Sequence, residues 1–338
     1  MFCFSGEEEV EFLGDGLDDV LNELYECLLK EGVPNTSTTG GSVEFLGVTL
    51  RIAKPRARIS RSQTRARPFS ALGELLWYLS GSDRADFVGR YIPFYIKEGK
   101  PPIVNGAYGP RIRSRHGFDQ LEQVIEILRR KDGSRRAVIQ LFEANDLLAA
   151  DKVDIPCTTT MQFHRRGCIL HLSVNMRSND AYLGLPHDVF CFTMLQELVA
   201  AELNLELGEY IHMVGSMHLY DWDRDKAERY RQEGYQRAAE MPAMPRADPF
   251  RKIEQLLAFD RQVWAGETVD ADATLIDPYW SDLGRLVQIS FAGEDDGTIK
   301  EISARMHDNI YHSAIEDQRD RVAEQVCKAG KVQQVNGR

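Results

Sequence analysis

The spacing of apolar residues along the chain predicts a mixture of helices and strands. Apolar residues at 17, 20, 21, 24, 28 and 29 have helical spacing, and Gly32 and Pro34 follow as a stop. Apolar-rich or amphipathic stretches predict further helices at 69–79, 124–128, 189–203, 224–238 and 250–264. Alternating or β-branched stretches predict strands at 43–52, 137–142, 158–163, 168–176, 210–220 and 287–291. Because the strands are separated by helices and hairpins, the pattern indicates an α+β fold.

Two features mark the organisation of the chain: a tight turn at 165–167 and a rise in charged residues after Asp221. Arg165-Arg166-Gly167 separates two predicted strands, which predicts a β-hairpin. After Asp221 the helical stretches become strongly charged, and the chain ends in a polar tail. The sequence contains no internal repeat. The parts before and after Asp221 are therefore expected to differ in role.

Charge argues against a general affinity for polynucleotides. The 338 residues include 41 Lys and Arg against 52 Asp and Glu, a formal net charge of −11. An acidic surface repels a phosphate backbone, so a nucleotide needs a local basic pocket. Arginines are clustered at 51, 56, 58, 61, 65 and 67, and again at 111, 113, 115, 135 and 136. The first cluster fits either such a pocket or a solvated surface strand and loop.

The sequence indicates no disulfide framework, metal site or membrane segment. The six cysteines contain no C-x-x-C pair, which is typical of reduced thiols in the cytoplasm. The eight histidines suggest no metal-ligand cluster, and no apolar run reaches the roughly 18 residues that span a bilayer. The acidic start at Glu7-Glu8-Glu9 is unlike a signal peptide. We therefore expect a cytoplasmic protein with no metal and no membrane partner.

Four short segments carry the candidate chemistry. They read Ile-Pro-Cys-Thr-Thr-Thr-Met-Gln-Phe at 155–163, Arg-Ser-Asn-Asp at 177–180, Leu-Gly-Leu-Pro-His-Asp at 183–188 and Gly-Ser-Met-His-Leu-Tyr at 215–220. Together they resemble the thymidylate synthase family. The resemblance implies a mixed β-sheet flanked by helices and an obligate homodimer that packs sheet to sheet. It also implies a pyrimidine nucleoside monophosphate as substrate and 5,10-methylenetetrahydrofolate as cosubstrate.

The same resemblance divides the chain. It runs from about residue 36 to about residue 222 and is strongest from 133 to 220. We therefore expect residues 1–222 to form a thymidylate-synthase-like catalytic core. Residues 223–338 are expected to form a divergent, mostly helical extension packed on the same domain.

Cys157 is the expected nucleophile, which in this family adds to C6 of the pyrimidine. A thiol is mostly protonated at neutral pH, so it needs a nearby cation or dipole to form a thiolate. The resemblance places Arg177 beside both the thiol and the substrate phosphate. A lone cysteine is more often a buried core residue, but the surrounding motifs favour the catalytic role.

Phosphate recognition is expected to involve two subunits, since arginine binds phosphate through a planar fork of donors. By resemblance Arg177 and Ser178 come from one subunit, and Arg135 and Arg136 from the other. Gln162, in the motif that begins at Cys157, is also expected to bind the substrate.

The loop at 35–41 departs from the family pattern. The family usually supplies another arginine there, but this loop reads Asn-Thr-Ser-Thr-Thr-Gly-Gly. Arg56, Arg58 or Arg65 are the candidates to replace it.

Five further residues match functional positions of the family. Glu74 matches a glutamate that organises water and moves protons near C4 and the folate, and Tyr108 matches a tyrosine of the proton network near C5. Asp180 matches the acid that holds the pterin ring, although it also fits a loop cap. His218 and Tyr220 match the pair that binds the sugar 3′-hydroxyl, and alternate residues of one strand share a face.

Asp188 stands where the family's uracil readers carry asparagine. Cytosine presents an N4 amino donor and an N3 acceptor, so a carboxyl group can accept from N4 and share a proton with N3. Uracil presents O4, which repels a carboxylate, and such a mismatch costs enough to reverse a substrate preference. The alternative is that Asp188 only caps a helix before Val189.

Other departures favour capture of water by the exocyclic methylene that follows one-carbon transfer. The family's methylases carry a tryptophan after the segment that ends at Leu79, and residues 84–100 contain none. The chain end at 332–338 lacks the short apolar tail of methylases. His187 and Thr158 stand where the family commonly has phenylalanine and histidine.

The sequence therefore resembles most closely the pyrimidine-nucleotide hydroxymethylase branch, which includes deoxycytidylate and CMP hydroxymethylases. The expected activity is 5-hydroxymethylation of CMP or dCMP. Two alternatives remain: a thymidylate synthase that methylates dUMP, and a catalytically silent binding or regulatory relative. The choice between ribose and deoxyribose, and between antibiotic synthesis and DNA modification, stays open.

Overall fold

A mixed eight-stranded sheet forms the centre of the computed structural model, which describes residues 10–62, 68–97, 100–149, 154–293 and 295–323. The strands are β1 (Glu11–Gly14), β2 (Val33–Thr36), β3 (Gly41–Ile52), β4 (Val138–Gln140), β5 (Thr158–Arg166), β6 (Ile169–Met176), β7 (Asn179–Asp180) and β8 (Glu206–Tyr220). Their order is β1-β3-β8-β6-β5-β4, with β2 added to β3 and β7 to β8. β1 is parallel to β3, and β6 and β7 are parallel to β8, while the other pairs are antiparallel. The predicted hairpin of β5 and β6 is confirmed.

Helices cover one face of this sheet. They are α1 (Leu17–Glu31), α2 (Pro68–Ser80), α3 (Ala85–Gly89), α4 (Tyr108–Arg113), α5 (Gln120–Arg130), α6 (Gly184–Glu202), α7 (Arg224–Gln232), α8 (Pro249–Trp264), α9 (Ala271–Leu275), α10 (Pro278–Phe291) and α11 (Asp296–Ser303). A further helix covers 312–323. Short 3-10 turns cover Pro93–Ile96, Ala144–Leu148, Asp221–Asp223 and Asn309–Tyr311. α1 packs on β1 and β3, α6 on β6 and β8, and α2 and α10 lie outside them. The α+β class is confirmed.

The two faces of the sheet differ in polarity. On β5, Met161 and Phe163 are buried under the helices, while Thr160, Gln162 and His164 alternate with them and stay partly exposed. This period of two is that of a strand with one core face and one outer face. The outer face is therefore a polar, partly accessible surface of the single chain.

Two sequence predictions after residue 221 are corrected. Residues 287–291 end α10 rather than forming a strand. Leu286, Val287 and Ile289 are all buried, because α10 packs against α2, α8 and α9. Burial on several sides hides the helical period, so the β-branched run resembled a strand. The helix predicted at 224–238 ends at Gln232, and Gly234 follows with φ of +79°, a conformation that favours glycine.

Contacts tie the later helices to the earlier part of the chain. Tyr91 Oη donates a hydrogen bond to Asp260 in α8. Glu197 in α6 pairs with the buried Arg58 at 2.5 Å and accepts from the backbone N–H of Met244 at 2.9 Å. The helices after residue 222 thus share contacts with the core, while the domain division at 222 stays a prediction.

Candidate active site

Cys157 and Arg177 meet at the ends of two neighbouring strands. Cys157 directly precedes β5, and Arg177 directly follows β6. The backbone N–H of Arg177 donates to Cys157 O at 2.8 Å, and its Nε donates to Pro156 O at 2.9 Å. These two bonds hold the guanidinium so that Nη2 lies 3.6 Å from Cys157 Sγ. The structure therefore brings the expected nucleophile and its expected cation together.

The electrostatic environment of the thiol is nevertheless unfavourable for a thiolate in the single chain. Burial raises the pKa of Cys157 to about 11, and this effect outweighs the opposing charge of Arg177. Asp188 and Asp154 raise the pKa further because each is a nearby carboxylate. In the single chain, burial and the two carboxylates therefore outweigh the charge of Arg177 at the thiol.

Gly215 on β8 allows Arg177 its position. A Cβ atom at residue 215 would lie 2.8 Å from the carbonyl oxygen of Arg177, closer than any ordinary contact. The neighbouring Ser216 N–H donates to that same oxygen at 3.2 Å. The Gly-Ser pair thus fixes the backbone of Arg177 from the adjacent strand.

Glu74 lies at the centre of a polar cluster between α2 and α6. Its Oε1 accepts from Tyr78 Oη at 2.7 Å, and its Oε2 lies 2.8 Å from His187 Nδ1. The other ring nitrogen of His187 is 3.0 Å from Ser70 Oγ. The side chain of Glu74 is only 13% exposed, so these partners satisfy a carboxylate inside an otherwise apolar helix. Ser70, His187 and Glu74 form a continuous hydrogen-bonded row.

Tyr108 begins α4 and reaches the residue after the nucleophile. Its hydroxyl accepts from the backbone N–H of Thr158 at 3.1 Å and from Thr158 Oγ1 at 3.0 Å. Its ring lies 5.0 Å from that of Tyr78. Burial, and then the charge of Asp188, raises the pKa of Tyr108 well above its usual value. At neutral pH the phenol therefore keeps its proton.

Asp188 lies in the second turn of α6, so the helix-cap interpretation is wrong. Leu183 occupies the N-cap position of the helix without a side-chain hydrogen bond, and Asp188 Oδ2 accepts from Asn179 Nδ2 at 3.1 Å. Burial raises the pKa of Asp188 well above its usual value, and the charge of Glu74 adds to this effect. Asp188 therefore favours the neutral carboxyl form.

Asp180 takes part in the turn that leads into α6. Its Oδ1 accepts from the backbone N–H groups of Tyr182 at 2.8 Å and Leu183 at 3.2 Å. The loop-cap interpretation is thus confirmed, and it leaves the carboxyl group fixed between β7 and α6. Burial raises the pKa of Asp180, and these two backbone bonds oppose the rise.

Ser178, His218 and Tyr220 form a second group beside Arg177. His218 Nδ1 lies 3.4 Å from Ser178 Oγ. The rings of His218 and Tyr220 meet edge to face with centroids 4.8 Å apart, as expected for alternate residues of one strand. Trp222 stacks on Tyr220 at 4.4 Å and covers Gly40 of the loop at 35–41. This aromatic contact brings the arginine-free loop next to His218 and Tyr220.

Arg135, Arg136 and Gln162 lie apart from this group. Both arginines are exposed at the start of the segment that leads into β4. Gln162 is on the outer face of the sheet, where its Nε2 donates to Arg135 O at 2.9 Å. Gln162 thus supports the turn that presents the two arginines to the solvent.

Two of the three candidate replacements for the missing loop arginine, Arg56 and Arg58, form ion pairs with glutamates. Arg56 pairs with Glu240 at 2.8 Å, and Arg58 is fully buried against Glu197. A fully buried guanidinium paired with a carboxylate cannot reach a phosphate in solvent, so the expectation is wrong for Arg58. It stays a prediction for the partly exposed Arg56, and Arg65 lies outside the described residues.

Comparisons with known proteins place this geometry in a family. The family model "Thymidylate synthase" matches residues 22–260. This chain belongs to the thymidylate synthase family. A thymidylate synthase of Mycoplasma mobile is 25% identical over 236 residues, which cover 60% of this chain and 81% of that protein. Another, of Buchnera aphidicola subsp. Baizongia pistaciae, is 27% identical over 206 residues, or 58% and 77% of the two chains.

Membership defines the broad chemistry. Thymidylate synthases bind a pyrimidine nucleotide and use methylenetetrahydrofolate, so the protein is a folate-dependent one-carbon transferase. The match extends beyond residues 36 and 222, between which the motifs were recognised. Within the described ranges, no group of three or more His, Cys, Asp or Glu is arranged to hold a metal ion. No helix in the same ranges is long and apolar enough to cross a membrane.

The sequence patterns did not predict the residues that hydrogen-bond to His187 and Asp188 from the core. Ser70 contacts His187, while Asn179, His212 and Tyr210 form a row behind Asp188. The spacing of His212 and Tyr210 on a predicted strand placed them on one face. Their contact with Asn179 depends on the pairing of β7 with β8, which the local pattern does not reveal.

Proposed function

We propose that this member of the thymidylate synthase family hydroxymethylates C5 of a cytidine monophosphate, CMP or dCMP. The observation that carries the proposal is the buried Asp188, whose pKa is raised at the position that reads the base. A neutral carboxyl group donates to N3 of cytosine and accepts from its N4 amino group. Leaving these polar groups unpaired costs about 1–3 kcal/mol each, enough to exclude a poorly matched base.

The chemistry then centres on Cys157. Its thiolate adds to C6, C5 bonds to the one-carbon unit that folate supplies, and the C5 proton leaves. Tyr108, with its proton retained beside Thr158, and Glu74 are the groups for moving that proton. Loss of the folate leaves an exocyclic methylene on C5. Addition of water and release of Cys157 from C6 complete a net gain of CH2O.

The polar row of Ser70, His187 and Glu74 supports capture of water. By resemblance, methylating members commonly have phenylalanine at the position of His187. Here His187 Nδ1 lies 2.8 Å from Glu74 Oε2, which orients a carboxylate for water and supplies a path for its proton. A phenylalanine at this position would exclude water instead.

Asp180 fits the folate in chemical type. A carboxylate matches the N3–H and 2-amino edge of a pterin, and Asp180 is held rigidly by two backbone donors. Glu74 is the second residue that we assign to the folate side. These residues would bind and orient the cosubstrate.

A homodimer completes the phosphate site in this proposal. Arg135 and Arg136 are exposed beside the polar outer face of the sheet. If two such faces pack together, each chain supplies both arginines to the Arg177 and Ser178 of its partner. The added charge would also lower the pKa of Cys157 from about 11, which Arg177 alone does not achieve.

One turnover panel tests the function. CMP, dCMP, UMP and dUMP are each incubated with methylenetetrahydrofolate, and the product mass and dihydrofolate absorbance are measured. We expect a gain of CH2O on a cytosine nucleotide without dihydrofolate. A gain of CH2 on dUMP with dihydrofolate would support the thymidylate synthase alternative, which the names of the relatives favour. Failure to trap Cys157 with any 5-fluoropyrimidine nucleotide would support a silent relative.

A further inference from the structure

A row of buried side chains continues from Asp188 into the core. Asn179 Nδ2 lies 3.1 Å from Asp188 Oδ2 and 2.9 Å from His212 Nε2. His212 Nδ1 lies 2.6 Å from Tyr210 Oη. Asp188 is 8% exposed, Asn179 3%, and His212 and Tyr210 are both fully buried. Polar groups this deeply buried persist when each has a partner, so the row forms one fixed hydrogen-bond arrangement.

The direction of these hydrogen bonds follows from the neighbours of Asn179. Met176 Sδ lies 2.9 Å from the same amide nitrogen. A thioether sulfur would repel the amide oxygen, so the NH2 group of Asn179 faces this side. Its two hydrogens cannot serve three acceptors, so Asp188 Oδ2 and His212 Nε2 receive them and Met176 Sδ is a close contact only. Burial lowers the pKa of His212 to about 3, so its ring is neutral and has one N–H. Because Nε2 accepts from Asn179, the proton of His212 lies on Nδ1 and points to Tyr210 Oη.

The same logic assigns the proton of Asp188. Oδ2 receives an N–H of Asn179 and therefore acts as the acceptor oxygen. When Asp188 is neutral, its proton lies on Oδ1. An unconstrained carboxyl group can exchange donor and acceptor oxygens, and so can match either cytosine or uracil, whose N3 and C4 groups have opposite polarity.

We propose that Asn179, oriented by His212 and Tyr210, is a specificity-determining residue that holds Asp188 in one donor–acceptor polarity. This inference rests on the proposed function, in which Asp188 faces the base. In the proposed function Oδ2 faces the N4 amino group and Oδ1 faces N3, so this fixed polarity matches cytosine and opposes the N3–H and O4 of uracil. Asn179, His212 and Tyr210 are positioning residues, because they act through Asp188 and not on the substrate.

The first test compares cytosine and uracil nucleotides in variants. Asn179→Leu keeps the volume but removes the N–H, and the ratio of kcat/KM values should move toward unity by at least about tenfold. His212→Gln keeps an acceptor for Asn179 and should preserve the ratio, while His212→Leu should lose it. Thr193→Val is the control, since the fully buried Thr193 donates to Val189 O and has no bond to this row. An unchanged ratio in a folded Asn179→Leu protein would overturn the inference.

The second test needs no variant and no substrate. Nitrogen-15 NMR of the His212 ring in the wild-type protein should report a neutral imidazole with its proton on Nδ1. A proton on Nε2 would reverse the row and overturn the inference. If the wild-type protein instead methylates dUMP, the proposed function fails. That outcome also overturns the cytosine-matching polarity. A proton on Nδ1, together with a cytosine preference that is lost in Asn179→Leu, upholds the inference even if the group transferred to cytosine is not hydroxymethyl.

Discussion

The proposed site has a base-reading end and a phosphate-binding end, and the two ends are built in opposite ways. At the base end, Asp188, Asn179, His212 and Tyr210 are buried and bonded to one another within a single chain. At the phosphate end, Arg177 is in place, but exposed arginines such as Arg136 lie elsewhere on the surface. A buried and satisfied network is rigid, whereas an exposed side chain is ordered only by what binds it.

This difference in burial separates the choice of the base from the binding of the phosphate. In the proposed function, choice of the base is a property of the folded chain, because Asp188 and its partners are fixed by the core. In the proposed homodimer, binding of the phosphate and activation of Cys157, whose pKa is about 11 in the single chain, would depend on charge brought by a second chain. Variants at the base-reading end should therefore change the preference between cytosine and uracil nucleotides. Variants at the phosphate-binding end should lose activity that a partner subunit can restore.

Replacement of the nucleophile should have the largest effect and leave both ends intact. Cys157→Ser should lower turnover by about four orders of magnitude or more, because a hydroxyl is far less acidic than a thiol. Nucleotide affinity, measured by calorimetry, should change by less than about twofold, since base and phosphate contacts remain. Cys168→Ser, at an exposed cysteine, is the control. Appreciable turnover in the first variant would remove Cys157 from the mechanism.

Loss of a phosphate contact should be repaired by a partner chain. Arg136→Ala should lower kcat/KM by about a hundredfold, as expected for a charged hydrogen bond worth roughly 2–3 kcal/mol. Mixed with an equal amount of Cys157→Ser, it should recover about a quarter of wild-type activity, because half of the dimers keep one complete site. The exposed Arg130→Ala offers a control on the neighbouring helix. Subunit exchange without recovered activity would show that the site is not shared.

The row beside Glu74 can be tested through the last step of the reaction. His187→Phe should slow hydroxymethyl release roughly thirtyfold, because Glu74 loses its partner and water loses a proton path. Covalent trapping by a 5-fluorocytosine nucleotide should persist, since addition to C6 comes earlier. His187→Gln, which keeps a donor to Glu74, should retain more activity. Equal product release in all three proteins would exclude His187 from water capture.

The sequence could predict residues in local motifs but not contacts between distant parts of the chain. Cys157, Arg177 and Asp180 belong to short contiguous motifs, so their positions at strand ends could be inferred from local pattern. The start of α6 was predicted too late, at Val189 instead of Gly184, so Asp188 was misplaced as a cap. The contact between Glu74 and His187 joins residues 113 positions apart and depends on how α2 packs on α6. Such contacts leave no periodic signal in the sequence.

The arginine cluster near residues 56 and 58 shows a limit of prediction from composition. The cluster near Arg56 and Arg58 resembled a phosphate site by composition alone. Both side chains are paired with glutamates far along the chain, Glu240 and Glu197. Net charge in a segment therefore predicts a binding site only when the folded partners of each cation are known.

The smallest effect should come from changing the base reader itself. Asp188→Asn alone should lower kcat/KM for the cytosine nucleotide, because an amide cannot share a proton with N3. It should not raise kcat/KM for the uracil nucleotide, because the N–H of Asn179 still requires an acceptor on its side and keeps the new amide in the cytosine-matching polarity. Adding Asn179→Leu frees that amide to turn, and uracil kcat/KM should then rise by about tenfold, equivalent to ~1.4 kcal/mol in the transition state. Kinetics on all four nucleotides would measure this, with Asp188→Asn combined with Thr193→Val as the matched double variant. Full uracil activity in the single variant would mean that Asn179 imposes no polarity, and that the base end is less rigid than its buried hydrogen bonds imply.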